Sequence, residues 1–206
     1  MTPRPVQDPS LLTLAQAISV GDAARALKLL ADAPTLAKAA LMTDASFDWP
    51  KASYAGDTAL HIAAAVYAAD VAERLMTLGA NVEARNRRGA TPLHYATVGL
   101  PGTALWNPQQ QRATIELLIK AGADPDATDK SGVTPLHRAV RTRSAAAVKA
   151  LLDGGANARA INNNGSTAMH LARVNSGRGG TGSAAAKAEQ SAIVQLLARH
   201  SGGDRG

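Results

Sequence analysis

The chain has 206 residues, no cysteine, 46% hydrophobic and 3% aromatic residues, and 22 Lys plus Arg against 16 Asp plus Glu, a net charge of +6. Without cysteine, disulfide frameworks, thiolate nucleophiles and Cys-ligated zinc are excluded, while the apolar content suffices for a buried core. The positive balance, with a pI near 10.0, favours acidic partners over basic ones. The opening residues place Pro, Gln, Asp and Ser where a signal peptide needs an unbroken apolar stretch. No run approaches the roughly 20 apolar residues of a membrane span. The expectation is a single domain over residues 1–206, cytoplasmic and monomeric by default; export by a route that reads no N-terminal signal stays compatible with it.

In chain order, "LAQAISVGDAARALKLLADAP" predicts a helix pair over residues 11–33. Residues 34–55 form an insertion holding Phe47, Trp49 and Tyr54, half of a scarce aromatic complement, and predict a small local cluster folded against its neighbours. Four ungapped segments then align: "GDTALHIAA" from Gly56, "GATPLHYAT" from Gly89, "GVTPLHRAV" from Gly132 and "GSTAMHLAR" from Gly165, spaced 33, 43 and 33 residues apart. A second motif, "LMTLGANVEA" or "LLDGGANARA", follows 23 residues later in two of them and arrives 10 residues late in the third, as "LLIKAGADPDA". The units are therefore residues 56–88, 89–131 with an insertion at 100–109, 132–164, and 165–201 with a Gly-rich insertion at 175–187. Both late insertions fall in the turn joining the two helices of a unit.

A period near 33 with T-P-L-H-x-A at a fixed phase resembles the ankyrin repeat, a turn followed by two antiparallel helices. The resemblance implies an all-α solenoid of about five units with atypical ends. The residue types suit it. Thr91 and Thr134 can cap a helix, and Pro92 and Pro135 occupy the first helical position, where a missing N–H costs nothing. Ala63, Ala64, Ala96 and Ala139 let helices approach closely, and Leu117, Leu118, Leu151 and Leu152 supply a shared core. Ala59 and Ala168 replace the Pro, Met169 replaces the Leu, and the first unit has no T-P-L-H. Richness in Ala, Arg and Gly fits a GC-rich, bacterial coding sequence.

The stretch "SGVTPLHRAVRTR" poses a problem, because a helix that should face inward carries Arg138, Arg141 and Arg143. Stacking would bring the Arg141–Arg143 turn between a Trp106-bearing loop and an Arg-Gly loop. A composite pocket of Trp106, Arg141, Arg143 and Arg178, walled by Arg138 and Arg173, would suit an acidic protein segment, since guanidinium forks hold carboxylates at two points. Solvation, or pairing with Asp129, Asp153 or Glu189, is the plainer alternative. The resemblance further implies a recognition strip on the finger turns and adjoining helices: Arg87, Arg88, Ala90, Tyr95, Lys130 and Val133.

Other motifs carry less. "GRGGTGS" puts Ser183 where a phosphate loop needs Lys, and it follows a helix rather than a strand. His61, His94, His137 and His170 recur at one phase, where a bond back to the capping Thr is expected; about 10 Å between units is too far to share a metal whose bonds are near 2 Å. No nucleophile-elbow pattern is present. The expectation is accordingly no catalytic residue, no metal site and no cofactor. The leading function is a non-enzymatic protein–protein interaction module with a basic concave surface. Nucleic-acid binding through that surface, or a small anionic ligand between the insertion loops, are the alternatives.

Overall fold

The computed structural model describes residues 8–46, 53–98, 106–177 and 184–202. Phe47, Trp49 and Arg178 lie outside them, with the Gly-rich run 178–183 and most of the insertion at 100–109. Among the described residues ten α-helices form five pairs: α1 (Pro9–Ser19) with α2 (Ala23–Asp32), α3 (Ala59–Ala65) with α4 (Ala69–Thr77), α5 (Pro92–Ala96) with α6 (Pro108–Lys120), α7 (Pro135–Arg141) with α8 (Ala145–Asp153), and α9 (Ala168–Gly177) with α10 (Ala184–Gly202). Inner helices stack in the order α1, α3, α5, α7, α9, and outer helices in the order α2, α4, α6, α8, α10.

The three central inner helices, α3, α5 and α7, start by one local device. Thr134 Oγ1 lies 2.8 Å from His137 Nδ1, and the Thr134 amide donates to the same nitrogen. Thr58 with His61 and Thr91 with His94 repeat it at 3.0 Å and 2.9 Å. With donors converging on Nδ1, the proton sits on Nε2, which then donates to the backbone of the next unit: His61 to Ala90 O at 3.0 Å, His94 to Val133 O at 2.9 Å, His137 to Ser166 O at 2.9 Å. The expected cap is thus half of the histidine's role; the other half joins neighbouring repeats. His170, at the end of the series, is exposed.

The fingers are joined by one backbone bond per step. Arg87 N donates to Ala55 O, Lys130 N to Arg88 O and Asn163 N to Ser131 O, at 2.7, 2.9 and 3.1 Å. Gly56 (φ +87) must be glycine on two counts, since a Cβ there would come within 2.8 Å of the Asn86 backbone in the next finger.

The core runs continuously between the two helix layers, with Leu14, Leu30, Leu60, Leu75, Leu93, Leu118, Leu136, Leu151 and Ile193 fully buried. Burial contributes about 1.5–3 kcal/mol per large side chain. Ala63, Ala64, Ala96 and Ala139 are likewise wholly covered, as their small size led us to expect, whereas Leu117 is only half-buried. The first insertion places a 3-10 turn, Pro34–Lys38, against α2 and α3, then forms isolated antiparallel bridges Ala40 to Thr58 and Ala45 to Ser53.

The broken helix turn of the third unit is closed by its neighbours. Helix α5 spans only five residues, and its last carbonyls would be stranded where the insertion begins. Ala96 O accepts from Gln111 Nε2 at 3.0 Å, Thr97 O from Thr142 Oγ1 at 2.9 Å, and Val98 O from the Tyr67 hydroxyl. The last unit, also interrupted, repeats one part of this, with Gln190 Nε2 donating to Ala172 O. Gln190 Oε1 is buried without a partner among the described residues, at the atom where Gln111 accepts from Ser144 of the following unit.

Candidate functional site

A groove of about 760 Å³ runs between the fingers and the inner helices, lined among others by Tyr54, Arg88, Tyr95, Arg138, Arg141 and Asn164. Its sides come from equivalent positions in successive units, so its chemistry can be read repeat by repeat.

At the base of the last three fingers, three residues before the glycine, stands an Asn or Asp. The Oδ1 of Asn86, Asp129 and Asn162 accepts the amides two and four residues on, which closes the finger turn. The second polar atom of this residue then reaches the inner helix. Asn86 Nδ2 donates to Tyr95 OH at 3.0 Å, and Arg138 Nη2 donates to Asp129 Oδ2 at 3.2 Å. Arg138 therefore meets a carboxylate at the end of the preceding unit, in the finger turn that leads into its own helix. Burial alone would raise the pKa of Asp129, but the Ser131 and Val133 amides and the Arg138 guanidinium outweigh it and hold the carboxyl below its ordinary range.

A wholly buried carboxylate anchors the first half of the groove. Asp57 Oδ2 accepts from the Tyr54 amide and the Tyr95 hydroxyl, both at 2.7 Å, and Oδ1 accepts from Asn86 Nδ2 at 2.8 Å. These donors compensate the desolvation of the charge. Burial and then the Asp57 charge push the Tyr95 hydroxyl upward, so it stays a neutral donor. His61 meets the Tyr95 ring edge-on at 5.1 Å between centroids. Burial holds His61, His94 and His137 below the ordinary imidazole value, His94 at about 4.

The first insertion forms the rim. Tyr54 lies under Arg88, whose guanidinium carbon is 4.4 Å from the ring centroid, and Arg87 approaches the ring at 5.1 Å. Arg87 also pairs with Asp44, and the Ala55 amide donates to the same carboxylate at 2.9 Å. That amide and then Arg87 lower the pKa of the exposed Asp44.

The residues singled out from sequence are thus partly brought together. Arg88, Ala90, Tyr95, Val133, Arg138 and Arg141 line the groove, and Arg141 is exposed with no partner among the described residues. Arg87 and Lys130 sit exposed on the fingers outside the lining. Arg143 is half-buried with φ +57 in the turn after α7, where the first two pairs carry Gly21 (φ +77) and Tyr67 (φ +59). Trp106 is half-buried and donates through Nε1 to Gln111 Oε1 at 3.1 Å, which ties it to α6 rather than to the groove. Sequence reasoning missed Asp57, Asn86, Asn162 and Tyr67. The Asn or Asp recurring three residues before Gly89, Gly132 and Gly165 was the available signal for two of them.

Among the described residues, no group of three or more His, Cys, Asp or Glu side chains is gathered as a metal site would require, and no helix is long and apolar enough to cross a membrane.

Comparison with known proteins agrees with this geometry. A family model for ankyrin repeats, in three copies, matches residues 104–180, and a single ankyrin-repeat model matches residues 55–87. No curated protein matches the chain. Ankyrin repeats are generally protein–protein interaction modules and typically non-enzymatic. With over half its length matched, with stacked helix pairs throughout and with Thr-His caps and paired fingers in its central units, the chain belongs to the ankyrin-repeat family.

Proposed function

We propose that this protein is a non-enzymatic binding module that takes an acidic segment of a partner protein into the groove between its fingers and inner helices. Arg141 carries the reading. Its guanidinium lines the groove, is exposed, and has no carboxylate partner among the described residues, so a partner's Asp or Glu would gain a charge-assisted pair without displacing an internal one.

Two of the arginines at the groove and fingers and two cations of the outer helices are already matched by carboxylates, which breaks up the basic surface and favours a protein over a nucleic acid. Arg138 pairs with Asp129 and Arg87 with Asp44, while on the outer helices Arg112 pairs with Glu116 and Lys149 with Asp153. Tracking a phosphate backbone calls for a run of uncompensated cations.

Affinity capture from the source cell's lysate, comparing wild type with Arg141→Ala by mass spectrometry, tests the proposal. A protein with an acidic segment should be retained by wild type and lost by the variant. Recovery of the same partner by both, or of nucleic acid in its place, would overturn it.

A further inference from the structure

The groove changes character along the stack. Four residues after the capping Thr, successive inner helices carry Ile62, Tyr95, Arg138 and Leu171; seven residues after it they carry Ala65, Val98, Arg141 and Val174. In the first half the helix wall of the lining is an apolar shelf of Ala65, Tyr95 and Val98, faced on the finger side by Arg88 stacked on Tyr54. The Tyr95 hydroxyl is already committed to Asp57 at 2.7 Å, so the ring offers an apolar surface and no unmet polar demand.

In the second half the lining is polar and positive. Arg138 is neutralised by Asp129, which leaves Arg141 as the uncompensated charge of the lining beside α7. One further donor waits in the same half. Asn86 and Asp129 each meet a polar side chain on the inner helix, but Leu171 stands at the equivalent place for Asn162. The Asn162 side-chain amide, also in the lining, therefore meets no acceptor among the described residues. An anion-seeking half thus adjoins a half whose helix wall is apolar.

We propose that the groove reads an extended partner segment by two anchors three residues apart: an Asp or Glu on Arg141, and a large apolar side chain on the shelf of Ala65, Tyr95 and Val98. This inference rests on the protein-binding reading above and adds its register. The spacing follows from the stack. Val98 and Arg141 hold the same position in adjacent units, packed helices lie about 8–10 Å apart, and an extended chain of polyproline II type advances about 3.1 Å per residue with three residues per turn, so residues three apart lie on one face and span about 9 Å. A segment with both anchors adjacent, or five residues apart, would leave one of them unengaged.

Selection of a random 16-residue peptide library on phage against the full chain tests this. Enriched peptides should carry Asp or Glu at a fixed offset of three from Leu, Ile, Met or Phe, in one of the two orders. A synthetic peptide from that set should bind Arg141→Ala about tenfold more weakly, a loss of about 1.4 kcal/mol, and Val98→Thr, an isosteric change, a few-fold more weakly. Arg141→Glu should prefer the same peptide with Lys at the acidic position. If enriched peptides carry an acid without a spaced apolar residue, the register is overturned while the binding reading stands. If no acid is enriched, or nothing is enriched over bare support, both fall.

Discussion

Replacing Gln111 with Leu should destabilise the protein by about 3 kcal/mol. Gln111 is wholly buried; its Nε2 donates to Ala96 O at 3.0 Å, and its Oε1 accepts from Ser144 Oγ at 2.7 Å and Trp106 Nε1 at 3.1 Å. Leucine has similar length but no polar atom. It would strand the Ala96 carbonyl and the Ser144 hydroxyl proton, both in buried residues, whereas the half-buried Trp106 N–H can turn to water. Each stranded buried group costs about 1–3 kcal/mol, and the added apolar burial returns about 1 kcal/mol. Gln111→Glu keeps the acceptor for Ser144 and Trp106 but points a carboxylate oxygen at a carbonyl, and should be at least as damaging at neutral pH. Urea unfolding followed by far-ultraviolet circular dichroism gives the difference by linear extrapolation. A loss below about 0.5 kcal/mol for the leucine variant would refute the claim that this side chain secures the interrupted repeat.

Stability should fall on mild acidification. His94 is held at about 4, below its ordinary value of 6.5, so the unfolded chain binds the proton more readily. Its contribution is present above pH 6.5 and is lost progressively toward pH 4, in total about 3 kcal/mol; His61 and His137 add in the same direction. Urea melts at pH 7.5, 6 and 5 should show the decline, and a flat profile would contradict it. Gly56→Ala should cost several times more than Gly122→Ala by thermal melting. Both have positive φ and share a strain of about 1–2 kcal/mol, but only the first sends its Cβ to within 2.8 Å of a neighbouring backbone. Asp129→Asn keeps the finger-turn acceptor used by Ser131 and Val133 while weakening the hold on Arg138. The expected result is a stability loss near 1 kcal/mol with affinity for acidic peptides raised a few-fold; weaker binding in a titration would argue against an anion-seeking groove.

The parts of the fold legible in sequence are those set by local chemistry. Thr and His three residues apart specify a helix start whichever repeat carries them, and the glycine phase marks the fingers. The links between repeats were not legible, because each joins residues tens of positions apart: His94 to Val133 O, Thr142 to Thr97 O, Tyr67 to Val98 O. Gln111 and Gln190 had a signal of sorts, each being a glutamine near the start of the outer helix after an inserted turn, but its meaning depends on a carbonyl that only the break in the helix exposes. Of the candidate site, Arg88 was expected on the finger strip that the family resemblance implies and Arg141 in a pocket with Trp106 and Arg178, and both line the groove. Asp129 was among the partners expected for these arginines, but its pairing with Arg138 depends on the finger bringing together two residues nine positions apart. Trp106 shared an edge with the arginines in sequence order, yet its indole N–H is turned to Gln111.

The binding claim is tested most directly by hydrogen exchange on the full chain, alone and with the partner recovered by capture. Protection should concentrate on the fingers around Arg88, Ser131 and Asn164 and on the inner helices α5 and α7. Protection confined to the outer helices α6 and α8, with the groove unchanged, would contradict the account.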